Sequence, residues 1–125
     1  MSNIFIGTVI HGEGRGKQLG FPTANIELLD STSEFPEFGV WASRVKLGNL
    51  FYHGATSIGL NSTFESTAPT FETYILDFDE DIYGEVLEVE LIQYIRPMKK
   101  FDSLESLVIQ IKKDVELARL RLSKN

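Results

Sequence analysis

The chain has 125 residues, which is enough for one domain with its own hydrophobic core, and 42% of them are hydrophobic. It contains no cysteine, which excludes a disulfide framework, a thiolate zinc site and a cysteine nucleophile, and which fits a reducing, cytoplasmic location. Twelve Lys and Arg against eighteen Asp and Glu give a net charge of −6, which argues against a broad nucleic-acid interface.

Strand patterns dominate the chain up to about residue 95. The stretch "NIFIGTVI" is rich in β-branched and aromatic residues, and it is too short and too polar at its flanks for a signal peptide or a membrane span. Residues 39–59 hold two extended runs joined at Gly48-Asn49, which predicts a two-residue hairpin turn with Gly first. "TFETYILDF" and "EVLEVELIQYI" predict two more strands, the second because Leu87, Val89 and Leu91 alternate with Glu88 and Glu90.

The last quarter of the chain changes to a helical period. Asp102 and Glu105 are spaced as a capping box, with Asp in place of the usual Ser or Thr. The pattern predicts a helix over about 103–122 that packs on a sheet, with its apolar stripe formed by Leu104, Leu107, Val108, Ile111, Val115, Ala118 and Leu122. Several strands followed by one helix favour a single domain over 1–125, built as an antiparallel sheet or barrel with a C-terminal helix.

The segment "GRGKQLGFPTAN", residues 14–25, holds three glycines and two cations within twelve residues. It is not a P-loop, because Gly12 and Gly16 are one residue too close and Gln18 stands where a hydroxyl is needed. It is not a dinucleotide fingerprint either, since the glycine spacing is wrong and no helix pattern follows. Two interpretations stay open: an ordinary glycine turn, or a donor-rich loop that wraps phosphate oxygens.

Thr23 and Asn25 alternate in the extended "PTAN" sequence, so their side chains point to the same side. A hydroxyl and an amide oxygen are hard ligands of the kind that suit magnesium, which fills the rest of its shell with water and substrate phosphates.

Several blocks in series resemble the riboflavin kinase family. They are "GEGRGKQLGFPTANI", "ETYILDF" with "DIYGE", and "IRPMKKFDSLESL" leading into "QIKKDVELAR", and the resemblance runs from about residue 5 to residue 122. It implies a mainly β fold, a small six-stranded antiparallel Greek-key barrel with a C-terminal helix. It also implies transfer of the ATP γ-phosphoryl group to the 5′-hydroxyl of riboflavin, which gives FMN, with Mg²⁺ as the metal.

The resemblance also implies roles for individual residues. Glu72 matches the catalytic carboxylate, and Thr23 and Asn25 match the metal and phosphate positions. Positions of the nucleotide site fall on Gly12, Gly14, Arg15, Gly16, Lys17, Ile75, Asp77 and Tyr83. Positions of a flavin-side loop, expected to close over bound substrate, fall on Arg96, Lys99 and Phe101.

The residues themselves leave alternatives open. The strand pattern places Glu72 on one apolar face with Tyr74, Leu76 and Phe78, where a carboxylate is either ion-paired or a general base. The cations of the flavin-side loop also fit a solvated turn, and Phe101 also fits a core position.

The sequence departs from the family in two respects. Ser62 stands where relatives often have proline after the residue matching Asn61, which predicts a looser loop. The chain has no room for the adenylyltransferase domain of many bacterial relatives, so a stand-alone kinase and an excised domain both stay open.

Two rival functions are a flavin-binding module without turnover and a nucleic-acid-binding barrel. The partners expected are ATP and riboflavin, with no nucleic acid or membrane, for a monomeric protein.

Overall fold

The computed structural model describes residues 4–10, 23–29, 36–60 and 69–123. Within these ranges the chain forms six strands and a C-terminal helix. Their bounds are β1 Ile4–Ile10, β2 Ala24–Leu28, β3 Gly39–Leu47, β4 Leu50–Leu60, β5 Pro69–Ile75, β6 Val86–Arg96 and α1 Leu104–Leu122.

The six strands close into an antiparallel barrel in the order β1-β2-β5-β4-β3-β6. Strands β3, β4 and β5 follow one another, and β6 returns to pair with β3, which is the Greek-key arrangement. The predicted barrel with its C-terminal helix is confirmed. No helix in the described part of the chain is both long and apolar enough to cross a bilayer.

The predicted hairpin at Gly48-Asn49 is also confirmed. Leu47 pairs with Leu50 across the turn, and Gly48 has a φ of 61°. Asn49 does not share this left-handed conformation, because among the described non-glycine residues only Asp77 has positive φ. Glycine at the first turn position alone is the pattern of a type II′ turn, whose twist matches that of the two strands.

The interior of the barrel is filled by alternate residues of every strand. Phe5 and Phe71 meet there with their ring centroids 5.4 Å apart. The buried apolar cluster comprises Phe5, Val9, Ile26, Val45, Ile58, Phe71, Ile75, Leu87, Val89 and Leu91.

A chain of hydroxyls crosses this interior. Thr56 on β4 bonds to Ser43 on β3 at 2.8 Å and to Thr73 on β5 at 2.9 Å, and all three side chains are fully buried. Each hydroxyl has a partner, so this polar row is compatible with a core.

Helix α1 packs on the outside of the barrel, against β3, β4 and β6. The second buried cluster lies at this contact, where Ala42 and Ala55 of the sheet meet Ala118 and Leu122 of the helix. Small residues on both sides let the helix approach the sheet closely.

The predicted capping box of Asp102 and Glu105 is wrong by one residue. Ser103 is the N-cap, because it is extended, its hydroxyl accepts from the Ser106 amide at 3.1 Å, and its carbonyl accepts the bond from Leu107 that opens the helix. Asp102 lies outside the helix and accepts from the Ser106 hydroxyl at 3.3 Å.

Candidate active site

The register of β2 and β5 brings two predicted site residues together. Asn25 lies directly opposite Glu72, and the next pair is Ala24 with Thr73. Side chains of directly opposed residues share one face, with Cβ atoms about 4.5–5.5 Å apart. Thr73 points into the core, so Asn25 and Glu72 point outward, where both are half-buried.

Thr23 precedes β2 and is exposed to solvent. It lies two residues before Asn25 in the same extended direction, so alternation places its hydroxyl on the face of Asn25. On the β2 side of Glu72 the predicted ligand oxygens are therefore one hydroxyl and one amide carbonyl. That set fits a magnesium ion that is held mainly by water and phosphate. No group of three or more His, Asp or Glu that would hold a metal by itself occurs among the described residues.

The predicted apolar surroundings of Glu72 are wrong in part: Tyr74 shares its face of β5, but the alternation does not continue to Leu76 and Phe78. Strand β5 ends at Ile75, and Asp77 adopts a φ of 57°, so the turn at 76–77 breaks the alternation. Leu76 is buried, and Phe78 packs edge-on against Tyr52 at 4.9 Å, beside the interior cluster. The cross-strand neighbours of Glu72 are Asn25 and Ser57, which are both polar.

A row of direct strand partners leads from Glu72 to the end of β6. Glu72 pairs with Ser57, Ser57 with Val40, and Val40 with Arg96. With about 4.8 Å between strands, three steps separate Glu72 from Arg96 by about 14 Å along the curved sheet. The row connects the Asn25–Glu72 pair to the segment that follows β6.

Arg96 is bound to helix α1. Its Nε and Nη2 donate to the two carboxylate oxygens of Asp114 at 2.9 and 2.7 Å, and its Nη1 donates to the Pro97 carbonyl at 2.9 Å. Gln110 donates a further bond to Asp114 at 3.1 Å. Arg96 is therefore not the solvated turn residue that one of the two interpretations proposed.

Phe101 lies beside these cations and belongs to neither buried cluster of the described residues. The Arg96 guanidinium is 5.9 Å and the Lys99 ammonium 5.7 Å from its ring centroid. Phe101 and Lys99 line a groove of about 580 Å³ between this segment and helix α1. The other lining residues are Lys100, Asp102, Ser106, Ile109, Gln110 and Lys113.

The segment after β6 also touches the sheet. A Cβ placed on Gly59 would lie 3.1 Å from Cγ of Met98, so the Met98 side chain rests on the glycine backbone of β4. Gly59 is two residues beyond Ser57 on the same strand. The segment 97–101 therefore reaches the face that carries Glu72.

The three residues predicted after Glu72 for the nucleotide site lie in different environments. Ile75 is buried in the interior cluster, and Tyr83 is 56% exposed. Asp77 accepts two bonds from Arg119 of the helix at 2.7 and 3.2 Å, and these bonds hold the pKa of Asp77 below its ordinary value of 3.8. The Tyr83 segment does lie beside β1, because the Gly84 amide donates to the Val9 carbonyl at 2.9 Å.

The other predicted residues lie outside the described part of the chain. They are Gly12, Gly14, Arg15, Gly16 and Lys17 of the phosphate loop, and Asn61 and Ser62.

Sequence reasoning missed Asp114 and Gly59. A signal for Asp114 was present, since it lies four residues before Ala118 and three after Ile111, on the apolar stripe of the helix. A charge at such a position indicates a buried partner. Gly59 carried no comparable signal, because only the fold brings Met98 to it.

A family model described as "Flavokinase: Riboflavin kinase" matches residues 2–122. The chain belongs to the riboflavin kinase family. Human riboflavin kinase is 42% identical over 121 residues, which are 93% of this chain and 78% of the human protein. The solved structure of riboflavin kinase from Trypanosoma brucei has a TM-score of 0.67 at 35% identity, and covers 97% of this chain and 80% of that one.

Another relative of the family is longer. The bifunctional riboflavin kinase/FMN adenylyltransferase of Listeria monocytogenes is 42% identical over 119 residues. The match covers 94% of this chain but only 38% of the Listeria protein.

Proposed function

We propose that this chain is a riboflavin kinase that transfers the γ-phosphoryl group of ATP to the 5′-hydroxyl of riboflavin and releases FMN and ADP. The observation that carries the proposal is the β2–β5 register, which sets Asn25 opposite Glu72 on the outer face. Phosphoryl transfer to an alcohol needs a proton acceptor close to the metal of the nucleotide. Membership of the family supports the same reaction.

Glu72 is the general base in this proposal. The 5′-oxygen of riboflavin bonds to the γ-phosphorus, the bond from that phosphorus to the bridging oxygen of ADP breaks, and the hydroxyl proton passes to the Glu72 carboxylate. The electron pair of the broken bond stays on ADP. In a loose transition state the proton leaves late, so a carboxylate of ordinary basicity within hydrogen-bond reach is sufficient.

Thr23 and Asn25 are the residues that would hold the magnesium ion of the nucleotide. When bound, the ion neutralises charge that develops on the phosphate oxygens. The backbone of the segment from Gly12 to Lys17 is proposed to bind the remaining phosphate oxygens, with Arg15 and Lys17 balancing their charge. Ile75, Asp77 and Tyr83 stay predictions for the rest of the nucleotide site.

The flavin is proposed to lie between Glu72 and the groove. A ribityl chain separates the 5′-hydroxyl from the isoalloxazine ring, so a substrate with its hydroxyl at Glu72 extends its ring along the row toward Arg96. Phe101 offers an aromatic face for stacking, and Lys99 lies beside it. The groove volume of about 580 Å³ is within the usual range for small-molecule sites.

The direct test is to incubate the protein with riboflavin, ATP and Mg²⁺, to separate the flavins and to detect FMN by fluorescence. We expect FMN formation that stops when EDTA removes the metal. A protein that binds riboflavin but forms no FMN with any nucleoside triphosphate would be a flavin-binding module, and the proposal would be wrong.

The proposal extends to the location of the protein and to the fate of its product. The absence of cysteine supports a cytoplasmic location. The name of the Listeria relative couples riboflavin kinase with FMN adenylyltransferase, so we propose an adenylyltransferase as the consumer of the FMN formed here. A monomer is expected, and light scattering coupled to size-exclusion chromatography tests it.

A further inference from the structure

The Arg96–Asp114 pair differs from the other ion pairs of the described residues in its burial. Its side chains are 18% and 6% exposed, whereas those of the Arg119–Asp77 pair are 51% and 73% exposed. Both pairs fasten helix α1 to the barrel through two hydrogen bonds. A two-bond guanidinium–carboxylate contact away from water has one defined geometry, so this pair is suited to positioning.

The polar contacts of Arg96 are directed to protein atoms. Its three guanidinium nitrogens donate to Asp114 and to the carbonyl of Pro97. Its guanidinium carbon lies 5.9 Å from the ring centroid of Phe101. Arg96 thus links three parts of the protein: the helix, the start of the segment 97–101, and the aromatic residue of the groove.

We propose that Asp114 is a positioning residue for the flavin side of the site. It fixes the Arg96 guanidinium, and through Arg96 it fixes Pro97 and Phe101. The inference rests on the proposed function, but it departs from the expectation that Arg96 is itself a flavin ligand. It also has a thermodynamic consequence: because one contact joins the helix to the groove, flavin binding and helix docking stabilise each other.

The first experiment uses Asp114→Asn, which keeps the shape of the side chain and removes its charge. We expect the dissociation constant for riboflavin, measured by flavin fluorescence, to rise about ten- to a hundredfold, which is within the usual range for coupling between a remote group and a binding site. The KM for ATP should stay unchanged. If Arg96 were instead a flavin ligand held back by Asp114, its release would preserve or improve flavin affinity, and the proposal would fail.

A second variant covers the case in which Asp114→Asn does not fold, since that substitution leaves a buried guanidinium without its counterion. The double variant Arg96→Met with Asp114→Leu removes both charges and fills the same space with apolar atoms. Arg96→Lys, which keeps the charge and loses the planar fork, is a third and milder change. A folded double variant with unchanged riboflavin affinity, or an Arg96→Lys protein with unchanged affinity if the double variant is unstable, would overturn the proposal.

Arg119→Gln is the matched control. It breaks the other two-bond contact between helix and barrel, and Arg119 does not line the groove. A general loosening of the helix would raise the riboflavin dissociation constant in both variants. The proposal requires that the riboflavin dissociation constant rise with Asp114→Asn and stay unchanged with Arg119→Gln.

An arm without substrates separates this inference from the proposed function. Amide hydrogen exchange of residues 98–101 is compared in the ligand-free wild-type and variant proteins. Exchange should become faster in Asp114→Asn and in the double variant, and stay unchanged in Arg119→Gln. Unchanged exchange in all of them would contradict the positioning role. If the wild-type protein makes no FMN, the proposed function fails, while this measurement still decides whether Asp114 orders the segment.

Discussion

At the scale of single residues, the candidate site depends on which side chains share a face rather than on how deeply they are buried. Glu72 was expected on an apolar face, where an ionised carboxylate needs a special explanation. The structure gives it polar cross-strand neighbours, Asn25 and Ser57, on a half-buried outer face. The case for Glu72 as a general base therefore rests on its neighbours.

Glu72→Gln tests this role. The amide keeps the shape of the side chain but cannot accept the proton, so kcat should fall about a hundred- to ten-thousandfold, the usual range for a positioned general base. The melting temperature and the dissociation constants of both substrates should change little, because the side chain is outside the core. Glu27→Gln, also outside the core and two residues beyond Asn25, is the control and should leave kcat unchanged. A near-normal kcat for Glu72→Gln in a thermally weakened protein would show a structural carboxylate instead.

Asn25→Ala tests the metal assignment. The variant loses the amide oxygen and leaves the groove beside Phe101 intact, so binding of magnesium–nucleotide should weaken much more than binding of riboflavin. Calorimetric titration with each ligand in turn measures the two losses. Equal losses, or a loss for riboflavin alone, would rule out Asn25 as a metal ligand.

At the scale of elements, strand register is what assembles the site. A slip of one residue between β2 and β5 would turn either Asn25 or Glu72 into the core, since side chains alternate between faces. The hydroxyl chain from Ser43 through Thr56 to Thr73 spans β3, β4 and β5 beside this register. Its bonds are satisfied in one alignment of the three strands, so it stabilises that alignment against slipped ones.

Thr56→Val measures how much the row of hydroxyls contributes to the free energy of unfolding. Valine matches threonine in shape but leaves the buried hydroxyls of Ser43 and Thr73 without their bonds, at a cost of about 1–3 kcal/mol for each. Urea unfolding measures the loss. Thr8→Val, the same chemical change on the outer side of β1, should cost less than about 0.5 kcal/mol. Equal small effects for both variants would mean that the hydrogen bonds between these hydroxyls contribute nothing to stability.

At the scale of the whole molecule, an apolar contact and two ion pairs join helix α1 to the barrel within the described part of the chain. The apolar contact joins Ala42 and Ala55 to Ala118 and Leu122. The inner pair, Arg96–Asp114, is desolvated, and the outer pair, Arg119–Asp77, faces water. Only the outer pair is expected to respond readily to pH and salt.

The pH dependence of stability should reveal the outer pair. The folded-state pKa of Asp77 is lowered by its hydrogen bonds from Arg119. The stabilisation is therefore fully present above its ordinary pKa of 3.8 and is lost as the pH falls through the folded-state value. Wild-type protein and Arg119→Gln should differ in melting temperature at neutral pH and converge as the pH falls from about 4 through the folded-state pKa of Asp77. A difference that persists in acid would show that Arg119 acts through packing.

The sequence by itself predicted five of the six strands, the hairpin at Gly48 and the helix, because alternation, turn chemistry and helical period are local properties of the chain. Strand β2 was expected only as an extended segment, and the site residues were identified by the resemblance to riboflavin kinases and stay predictions. The sequence pattern placed the helix cap one residue early, because Asp102 and Ser103 are both good caps and only the backbone course selects one. The sequence did not predict which residues surround Glu72, since the alternation ends at the turn at 76–77. Aspartate is tolerated in the left-handed conformation of Asp77 but also occurs in strands and loops, so it did not mark the turn.

Only the tertiary structure decided which residues meet. Asn25 and Glu72 are far apart in sequence and become neighbours through the pairing of β2 with β5. The sequence pattern around Arg96 is typical of a surface turn. Closure of the barrel brings the end of β6 under helix α1, where Asp114 binds Arg96. Contacts between residues distant in sequence follow from strand order and helix docking. Strand order and helix docking depend on the apolar surface that the whole core buries. No short segment of the sequence carries that information.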